Sequence, residues 1–406
     1  MDNYFTQPDR RPPKSVDKGE IDEILKRNFK FPFKATADIA GAKIGLQTNS
    51  EHVFKFWKLN WFLTKKPAEG MIYVVKGVEG YDPHLFYDLK GKRILIVNSE
   101  YYGAAKSAGA LGLAGSILEK KGGYPIHGAC VSVEKNGINE GVIIIAPTGT
   151  GKTTQSHELT YRLKSSKVHS DDYVFVFFDK NPVAKATEKQ LYMRTDISKE
   201  HPTFRHLFDK LPLENVVNDK SKCAEASDDE RKMGNCYRDV RSGKIKCVFD
   251  EGKKICYWSY GNSRVMFPRE MFPMQVRDKK GYLHEIPKGK KNVVNEAVVK
   301  YIILLTRDSE TPPARRLEKN EVIEILEQGR FLIRPGAGPP EKWGTMGNEP
   351  FYNPYPPELD HDTQRKFFKK LCDAGVLFYL MNTGSYEKRD ITAHQTHTYI
   401  RAIIED

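Results

Sequence analysis

Residues 141–154 read GVIIIAPTGTGKTT, an apolar run followed by a loop of glycine and threonine and then by a lysine. The run Gly141–Ala146 is almost continuously apolar, which predicts a β-strand buried on both faces. The stretch Thr153–Leu163 is predicted to be a helix. The residues between them fit a phosphate-binding loop, except that Ala146 stands where the pattern has its first glycine. A strand, a glycine-rich loop and a helix in this order predict a nucleotide-binding α/β unit.

The residue types of this loop suit a triphosphate. Gly149 and Gly151 allow backbone N–H groups to approach an anion without a Cβ clash, and the Lys152 ammonium adds a positive charge. The helix that follows presents free N–H groups at its amino end, and the Thr153 hydroxyl can ligate Mg²⁺. A chance match in an ordinary loop is the alternative. The predicted nucleotide-binding residues are Thr148, Gly149, Thr150, Gly151, Lys152, Thr153 and Thr154.

Two carboxylates and a histidine are further candidates for the same site. Asp171 and Asp172 follow Ser170 directly before a predicted strand, and paired carboxylates beside a nucleotide are typical metal ligands. Ser-Asp-Asp is also common in turns, so a turn or a helix cap is the other interpretation. His127 precedes a strand, predicted over Ala129–Val133, that leads toward the loop, which makes it a candidate site residue.

Apolar runs separated by polar and glycine-rich segments predict an α/β chain in three zones. Residues 1–35 are predicted to be a flexible arm with a short helix at Glu20–Phe29. Residues 36–122 are predicted to form an α/β lobe, and residues 123–406 a lobe that carries the glycine-rich loop. Further predictions are Val53–Leu63 (helix or strand), Arg93–Asn98 (strand), Ala104–Lys120 (helix), Tyr173–Phe178 (strand), Ile302–Leu305 (strand), Asn320–Gln328 (helix), Asp362–Ala374 (helix) and Val376–Met381 (strand).

Composition limits the classes of protein. Hydrophobic residues make up 39% of the 406 residues, enough for a large core. No window holds about 18 consecutive apolar residues, so no membrane-spanning helix is expected. The polar start of the chain predicts no secretory signal, and we expect a cytoplasmic protein with reduced thiols. The net charge of +12 attracts anions but does not choose among nucleotide phosphates, small acids and nucleic acid. The sequence leaves the oligomeric state open.

A charged stretch at about residues 217–257 is predicted to be an insertion in the third zone. Four of the six cysteines lie in it, at wide spacings that contain no Cys-x-x-Cys pair. A zinc site is one interpretation, and a surface hairpin with unpaired thiols is the one favoured by the spacing. The four cysteines are Cys223, Cys236, Cys247 and Cys256.

Taken in order, these motifs resemble the ATP-dependent branch of the phosphoenolpyruvate carboxykinase family. That family combines a histidine-containing strand, a G-T-G-K-T-T loop and an Asp-Asp pair, which correspond here to His127, Gly149–Thr154 and Asp171–Asp172. Bacterial HPr kinase shares this core but not the C-terminal motifs. The resemblance runs from about Val53 to the C-terminus, apart from the insertion. Its other segments are Ser99–Lys106, Leu191–Arg194, Leu213–Val216, Asn262–Pro268, Ile303–Thr306, Pro312–Leu317, Tyr379–Gly384, Lys388–Arg389 and Arg401–Ile404.

The resemblance implies a two-lobed α/β fold whose nucleotide-binding lobe has a mixed sheet and helices. It implies phosphoryl transfer with ATP, Mg²⁺ and Mn²⁺ and a small anionic substrate, at a site to which fixed cations contribute. Each residue takes its implied role from the family motif that it matches. These roles are Lys152 and Thr153 on the phosphates and Mg²⁺, Asp172 and His127 on a second metal, Lys106 in catalysis, Arg264 on the transferred phosphoryl group, Arg194 at a phosphate-binding lysine position, Tyr101 toward the carbon substrate, and Arg316 and Arg389 near the nucleotide.

Three departures from the family pattern keep a second hypothesis open. Ser107 follows Lys106 where the family has a second, metal-binding lysine. The family's Arg-Ser-Pro-Lys segment has only a faint counterpart in Arg11–Lys14, and Gly336–Gly344 does not match the usual lid. The leading hypothesis is a phosphoenolpyruvate carboxykinase. The second is a kinase on the same scaffold that phosphorylates a hydroxyl of a metabolite, peptide or nucleic acid, and a non-catalytic nucleotide-binding regulator is a third.

Overall fold

The chain divides into two compact units, each built from two segments. The computed structural model describes residues 4–5, 13–27, 29–147, 150–195, 197, 204–208, 210–218, 237–238, 245–246, 249–256, 263–277, 283–287, 292–333, 342, 344–353 and 360–405. Unit 1 comprises residues 1–114 and 189–267, and unit 2 comprises residues 115–188 and 268–406. The first break lies close to the predicted boundary at residue 122, but residues 189–267, predicted to belong to the second lobe, are part of unit 1.

The elements are numbered along the chain. The first stretch contains β1 (Tyr4–Phe5), β2 (Lys14–Val16), α1 (Lys18–Leu25), β3 (Phe33–Ile39), β4 (Ala42–Thr48), α2 (Glu51–Asn60), β5 (Phe62–Thr64), β6 (Gly70–Val75), β7 (His84–Asp88), β8 (Arg93–Val97), α3 (Tyr102–Ala104), a π-helical segment (Ala105–Leu111) and α4 (Gly112–Glu119). The second contains β9 (Gly123–Ile126), β10 (Gly128–Lys135), β11 (Ile138–Ile145), α5 (Lys152–Arg162), β12 (Ser166–Ser170), β13 (Val174–Phe178) and β14 (Pro182–Ala186).

The third stretch belongs to unit 1 and the fourth to unit 2. The third contains β15 (Gln190–Arg194), α6 (Arg205–Phe208), β16 (Leu213–Glu214), β17 (Tyr237–Arg238), β18 (Ile245–Lys246) and β19 (Arg264–Pro268). The fourth contains a 3₁₀ turn (Arg269–Met271), β20 (Pro273–Arg277), β21 (Leu283–Pro287), β22 (Glu296–Thr306), β23 (Ala314–Arg316), α7 (Lys319–Gln328), β24 (Arg330–Leu332), β25 (Met346–Asn348), a 3₁₀ turn (Pro350–Tyr352), α8 (His361–Asp373), β26 (Leu377–Asn382), β27 (Ser385–Tyr386), β28 (Arg389–Asp390) and α9 (Ala393–Glu405).

Unit 1 contains a seven-stranded mixed sheet in the order β2-β7-β8-β6-β4-β3-β5. Strands β4, β6 and β8 are parallel to one another, and β3 is antiparallel to both β4 and β5. Strand β7 is antiparallel to β8 and parallel to β2. Helix α1 covers part of this sheet, because Ile21 and Ile24 belong to one core cluster with Leu95 and Val97 of β8. A separate four-stranded sheet, in the order β1-β16-β19-β15, carries Tyr192 and Arg264.

Helix boundaries in unit 1 follow the local caps. Helix α2 begins after Ser50, whose hydroxyl accepts a hydrogen bond from the Val53 amide. The ambiguous run Val53–Leu63 therefore contains most of α2 and the beginning of the edge strand β5. The single helix predicted over Ala104–Lys120 instead contains the π-helical segment, which includes Lys106. Such segments are rare and often occur at functional sites.

Unit 2 contains a nine-stranded sheet whose central path is β12-β10-β11-β22-β14-β13-β9, and β26 pairs with both β22 and β23. Strand β11 is parallel to β22 and antiparallel to β10. Its alternate side chains enter two different cores: Ile143 and Ile145 belong to one cluster, and Val142 and Ile144 to the other. The prediction that this strand is buried on both faces is confirmed. None of the helices in the described ranges is long and apolar enough to cross a membrane.

Helix α9 brings a buried histidine against α5, and this predicts acid sensitivity. Burial lowers the pKa of His397 from 6.5 to about 4; Arg401, Arg162 and His394 act in the same direction and Glu158 opposes them. Folded His397 therefore stays neutral while the unfolded chain takes up a proton. Its contribution to stability is complete above pH 6.5 and is lost as the pH falls to about 4.

We expect His397→Gln to reduce the loss of unfolding free energy between pH 7 and pH 5 by about 2 kcal/mol. The measurement is urea unfolding at both pH values. His394→Gln is the matched control, because His394 is an exposed histidine on the same helix and the smallest of the causes that lower the pKa of His397, so its replacement should change the loss far less than His397→Gln does. Equal losses in the wild type and His397→Gln would contradict the prediction.

Candidate active site

Sheet topology places three predicted site residues of unit 2 at one edge. Strand β10 is antiparallel to both β11 and β12, so its amino end lies beside their carboxyl ends. His127 directly precedes β10, the loop that ends at Lys152 follows β11, and Asp172 follows β12. The register pairs Gly128 with Ile145, the last residue of β11. Residues that are far apart in sequence therefore meet at this edge.

The Lys152 ammonium joins the other two side chains. Its Nζ atom lies 2.9 Å from Asp172 Oδ1 and 2.9 Å from His127 Nε2. The His127 and Asp172 side chains are themselves 3.4 Å apart. The Lys152 side chain is only 11% exposed, so this interaction is only partly screened by solvent. The structure thus shows one cation held between an imidazole nitrogen and a carboxylate.

The hydrogen bonds of His127 define its tautomer. An ammonium group can only donate, so Nε2 accepts from Lys152. The other ring nitrogen, Nδ1, lies 2.9 Å from the backbone carbonyl oxygen of Tyr352, which can only accept. His127 is therefore a neutral imidazole with its proton on Nδ1 and the lone pair of Nε2 directed at the cation.

Asp171 and Asp172 have different surroundings. Asp172 contacts Lys152, as described above, and its side chain is 29% exposed. Asp171 is buried, and its Oδ1 lies 3.2 Å from Nε2 of His157, which is on α5. Of the predicted carboxylate pair, the structure brings Asp172 to Lys152 and places Asp171 against α5.

The described part of the glycine-rich loop is a turn that leads into α5. The Thr150 amide and hydroxyl both donate to the Pro147 carbonyl, at 3.2 and 2.7 Å. Gly151 caps α5 with φ of 101°, a left-handed conformation that favours glycine, and no side chain of the described residues caps the helix. Thr153 and Thr154 lie half-buried in the first turn of α5. The predicted residues Thr148 and Gly149 lie outside the described residues.

Two predicted cations of unit 1 share one aromatic ring. Lys106 is almost completely buried, and its Nζ lies 5.7 Å from the centroid of the Tyr192 ring. The guanidinium carbon of Arg264 lies 5.8 Å from the same centroid. Both distances are within the range of cation–π attraction. The two positive charges therefore both lie close to the Tyr192 ring.

A buried carboxylate supports this ring. Glu214 is fully buried, and its Oε1 lies 2.7 Å from His52 Nε2 and accepts from the Tyr102 amide at 2.7 Å. Its Oε2 accepts a hydrogen bond from the Tyr192 hydroxyl. Burial and the nearby Glu214 charge raise the pKa of Tyr192 well above its ordinary value, so the hydroxyl stays protonated and donates. Glu214 thereby links α2, the start of α3 and β15.

The remaining predicted residues have varied surroundings. Tyr101 is buried and precedes α3, and Ser107 is half-buried in the π-helical segment. Arg194, at the end of β15, is exposed. Arg316 and Arg389 in unit 2 are exposed residues of β23 and β28.

The chain has a distant similarity to a protein of known function. No family model matches the chain. The chain is similar to the phosphoenolpyruvate carboxykinase (ATP) of Aeropyrum pernix. The two are 24% identical over 338 residues, which cover 80% of this chain and 58% of that protein. The chain thus spans little more than half the length of this relative, and the similarity supports a distant relationship to a carboxykinase that uses ATP.

Sequence reasoning did not assign roles to four residues of these two clusters. Tyr192 and Glu214 lie inside Leu191–Arg194 and Leu213–Val216, two segments that resemble the family. That resemblance was the signal that could have identified them. Tyr352 contributes a backbone carbonyl, which residue type does not reveal. His52 lies 162 residues from Glu214, and nothing in its local sequence points to that partner.

Proposed function

We propose that the chain catalyses ATP-dependent phosphoryl transfer, and that the reaction is that of a phosphoenolpyruvate carboxykinase. The observation that carries the proposal is the Lys152 ammonium at the amino end of α5, 2.9 Å from both His127 Nε2 and Asp172 Oδ1. A helix amino end and a lysine are groups that bind phosphates, and an imidazole and a carboxylate suit a divalent cation. The similarity to an ATP-dependent carboxykinase supports the same reaction.

In the proposed reaction, oxaloacetate and ATP give phosphoenolpyruvate, ADP and CO₂. The carboxylate β to the ketone leaves as CO₂, and the electron pair of the broken bond forms the enolate. The enolate oxygen then bonds to the γ-phosphorus and ADP leaves. In the transition state, negative charge is spread over the oxygens of the transferred phosphoryl group, so fixed cations lower the barrier. We assign this role to Lys152 and, by the resemblance, to Lys106 and Arg264.

The donors at Lys152 fit a divalent cation in kind. His127 Nε2 carries a lone pair, Asp172 offers a carboxylate oxygen, and both already face the positive charge of Lys152. Across the described ranges, no group of three His, Cys, Asp or Glu side chains could hold a metal ion. Phosphate oxygens and water would complete the shell of a metal held by His127 and Asp172, and a separate Mg²⁺ at the Thr153 hydroxyl would neutralise phosphate charge.

Ser107 favours a second candidate function. It follows the buried Lys106 at the position where carboxykinases have a metal-binding lysine, and a hydroxyl is a poorer ligand than a neutral amine. A kinase on the same scaffold that phosphorylates a hydroxyl of another acceptor has no need of a carboxykinase's substrate contacts. The acceptor would be a metabolite, a peptide or a nucleic acid.

A substrate screen separates the two functions. Purified protein is incubated with ATP, Mg²⁺ and Mn²⁺, with oxaloacetate or with alternative acceptors, and ADP and CO₂ are measured. The carboxykinase proposal expects release of ADP and CO₂ that depends on oxaloacetate. ADP formation with another acceptor, and none with oxaloacetate, would overturn it in favour of the kinase.

Gly103→Ala is expected to raise the KM for oxaloacetate about tenfold by displacing the Tyr101 ring. A Cβ atom on Gly103 would lie 2.3 Å from Tyr101 Cζ and 2.4 Å from its hydroxyl oxygen, so the ring must move. We propose that Tyr101 faces the carbon substrate, and the KM for ATP should therefore stay unchanged. Steady-state kinetics with each substrate varied provides the measurement.

Gly115→Ala is the matched control for this prediction. Gly115 is also helical, but a Cβ there would meet no atom closer than 3.8 Å, so both KM values should remain at the wild-type level. If Gly103→Ala leaves the KM for oxaloacetate unchanged, Tyr101 is not a substrate contact.

A further inference from the structure

The turn that bonds to His127 has an unusual backbone. Phe351 and Tyr352 are consecutive and have φ of 56° and 49°, in the left-handed region that side chains other than glycine rarely adopt. Both are aromatic and almost completely buried. Two such residues in succession are strained, and strain of this kind persists only where the surroundings impose it.

Contacts around this turn hold Phe351 and Tyr352 in the strained conformation. Phe351 stacks on Phe368 of α8 with a centroid distance of 5.9 Å and an interplanar angle of 10°. The Tyr352 hydroxyl donates to the Arg330 carbonyl at 3.2 Å, and the Tyr352 amide donates to the Glu349 carbonyl at 2.9 Å. Packing and hydrogen bonds thus fix the peptide on both sides of the strained residues.

The turn is also joined to the end of α7. Gly329 ends that helix with φ of 51°, and its carbonyl accepts from the Glu349 amide at 2.9 Å. A Cβ atom on Gly329 would lie 2.0 Å from the Glu349 carbonyl oxygen and 2.7 Å from the Pro350 nitrogen. Only glycine allows this approach, so a side chain at residue 329 would push the turn away.

We propose that the turn Glu349–Tyr352 is a positioning device for His127. It presents the Tyr352 carbonyl to Nδ1, which keeps the proton on that nitrogen. The lone pair of Nε2 is then directed at the Lys152 ammonium beside Asp172. Partners behind a metal-binding histidine commonly set its tautomer and ring orientation in this way. The tautomer is a property of the protein alone. The inference rests on the proposed function only in its second part, the binding of a divalent metal by Nε2.

The experiment compares two glycines that end helices. Gly329→Ala displaces the turn, whereas Gly375→Ala places the same residue type at φ of 78° after α8, where a Cβ would meet no atom within 4 Å. Histidine-labelled ¹⁵N NMR, with His127 assigned by comparison with His127→Gln, reports the tautomer in the free protein. Electron paramagnetic resonance reports the affinity for Mn²⁺ alone, without nucleotide.

The wild type is expected to show His127 protonated on Nδ1. Gly329→Ala should lose this single tautomer and bind Mn²⁺ about 10- to 100-fold more weakly, while Gly375→Ala should match the wild type in both respects. Protonation on Nε2 in the wild type, or equal Mn²⁺ affinities in the two alanine variants, would overturn the proposal. If Gly329→Ala does not fold, the tautomer of His127 in the wild type still tests the proposal. Absence of carboxykinase activity with the expected tautomer would count against the proposed function and not against the positioning of His127.

Discussion

Lys152→Ala is expected to lower kcat for phosphoryl transfer about a thousandfold, because it removes the cation proposed to neutralise the phosphates. The change leaves His127 and Asp172 in place, and alanine is a good helix former at the first residue of α5. Far-ultraviolet circular dichroism should therefore match the wild type. The measurement is ADP release at saturating ATP.

Lys185→Ala is the control for a non-specific loss of charge. Lys185 lies on β14 in the same unit, in a partly exposed ion pair with Glu296 at 3.4 Å, and its removal should change kcat less than twofold. A folded Lys152→Ala variant that keeps more than a tenth of the wild-type kcat would contradict both the role of Lys152 and the proposed function.

Glu214→Ala is expected to lower the free energy of unfolding by about 4 kcal/mol. The fully buried carboxylate accepts from the Tyr102 amide and the Tyr192 hydroxyl and lies 2.7 Å from His52 Nε2. Alanine would deprive these donors of their shared acceptor and would also leave a cavity. Urea unfolding at pH 7 measures the loss.

Glu214→Gln tests whether Glu214 stabilises the fold through its hydrogen bonds or through the volume that its side chain fills. The amide keeps the volume and one acceptor oxygen, so the expected loss is about 1–2 kcal/mol. Glu134→Ala is the control, because Glu134 is 48% exposed in an ion pair with Lys167 and should cost at most about 0.5 kcal/mol. A Glu214→Ala variant as stable as Glu134→Ala would show that the donors find other partners.

The part of the site that could be predicted depends on local patterns. The strand before the loop was predicted because Gly141–Ala146 is almost continuously apolar, and the helix after it because a helical pattern begins at Thr153. His127 and Asp172 were predicted from their places directly before predicted strands and from the resemblance. The antiparallel pairing of β10 with β11 and β12 then brings all three together.

The partners that support these residues could not be predicted. Tyr352 lies 225 residues from His127 and acts through a backbone carbonyl, which every residue type has. The strain at Phe351 and Tyr352 contradicts the local preference of aromatic residues, so it can arise only from tertiary packing. The helix predicted over Ala104–Lys120 was interrupted by a π-helical segment for which apolar periodicity gives no signal.

The strand, the loop and the helix around Lys152 are encoded in the amino-acid sequence alone, as are the kinds of charged residue available for phosphate and metal. Those features follow from side-chain periodicity and from glycine at φ values that other residues avoid, both of which are local. The fold establishes which of Asp171 and Asp172 meets Lys152 and which nitrogen of His127 carries the proton. It also establishes which carboxylate supports the ring beside Lys106 and Arg264. Each of these depends on hydrogen bonds between segments that are remote in the chain, whose geometry is set by how the sheets pair and pack.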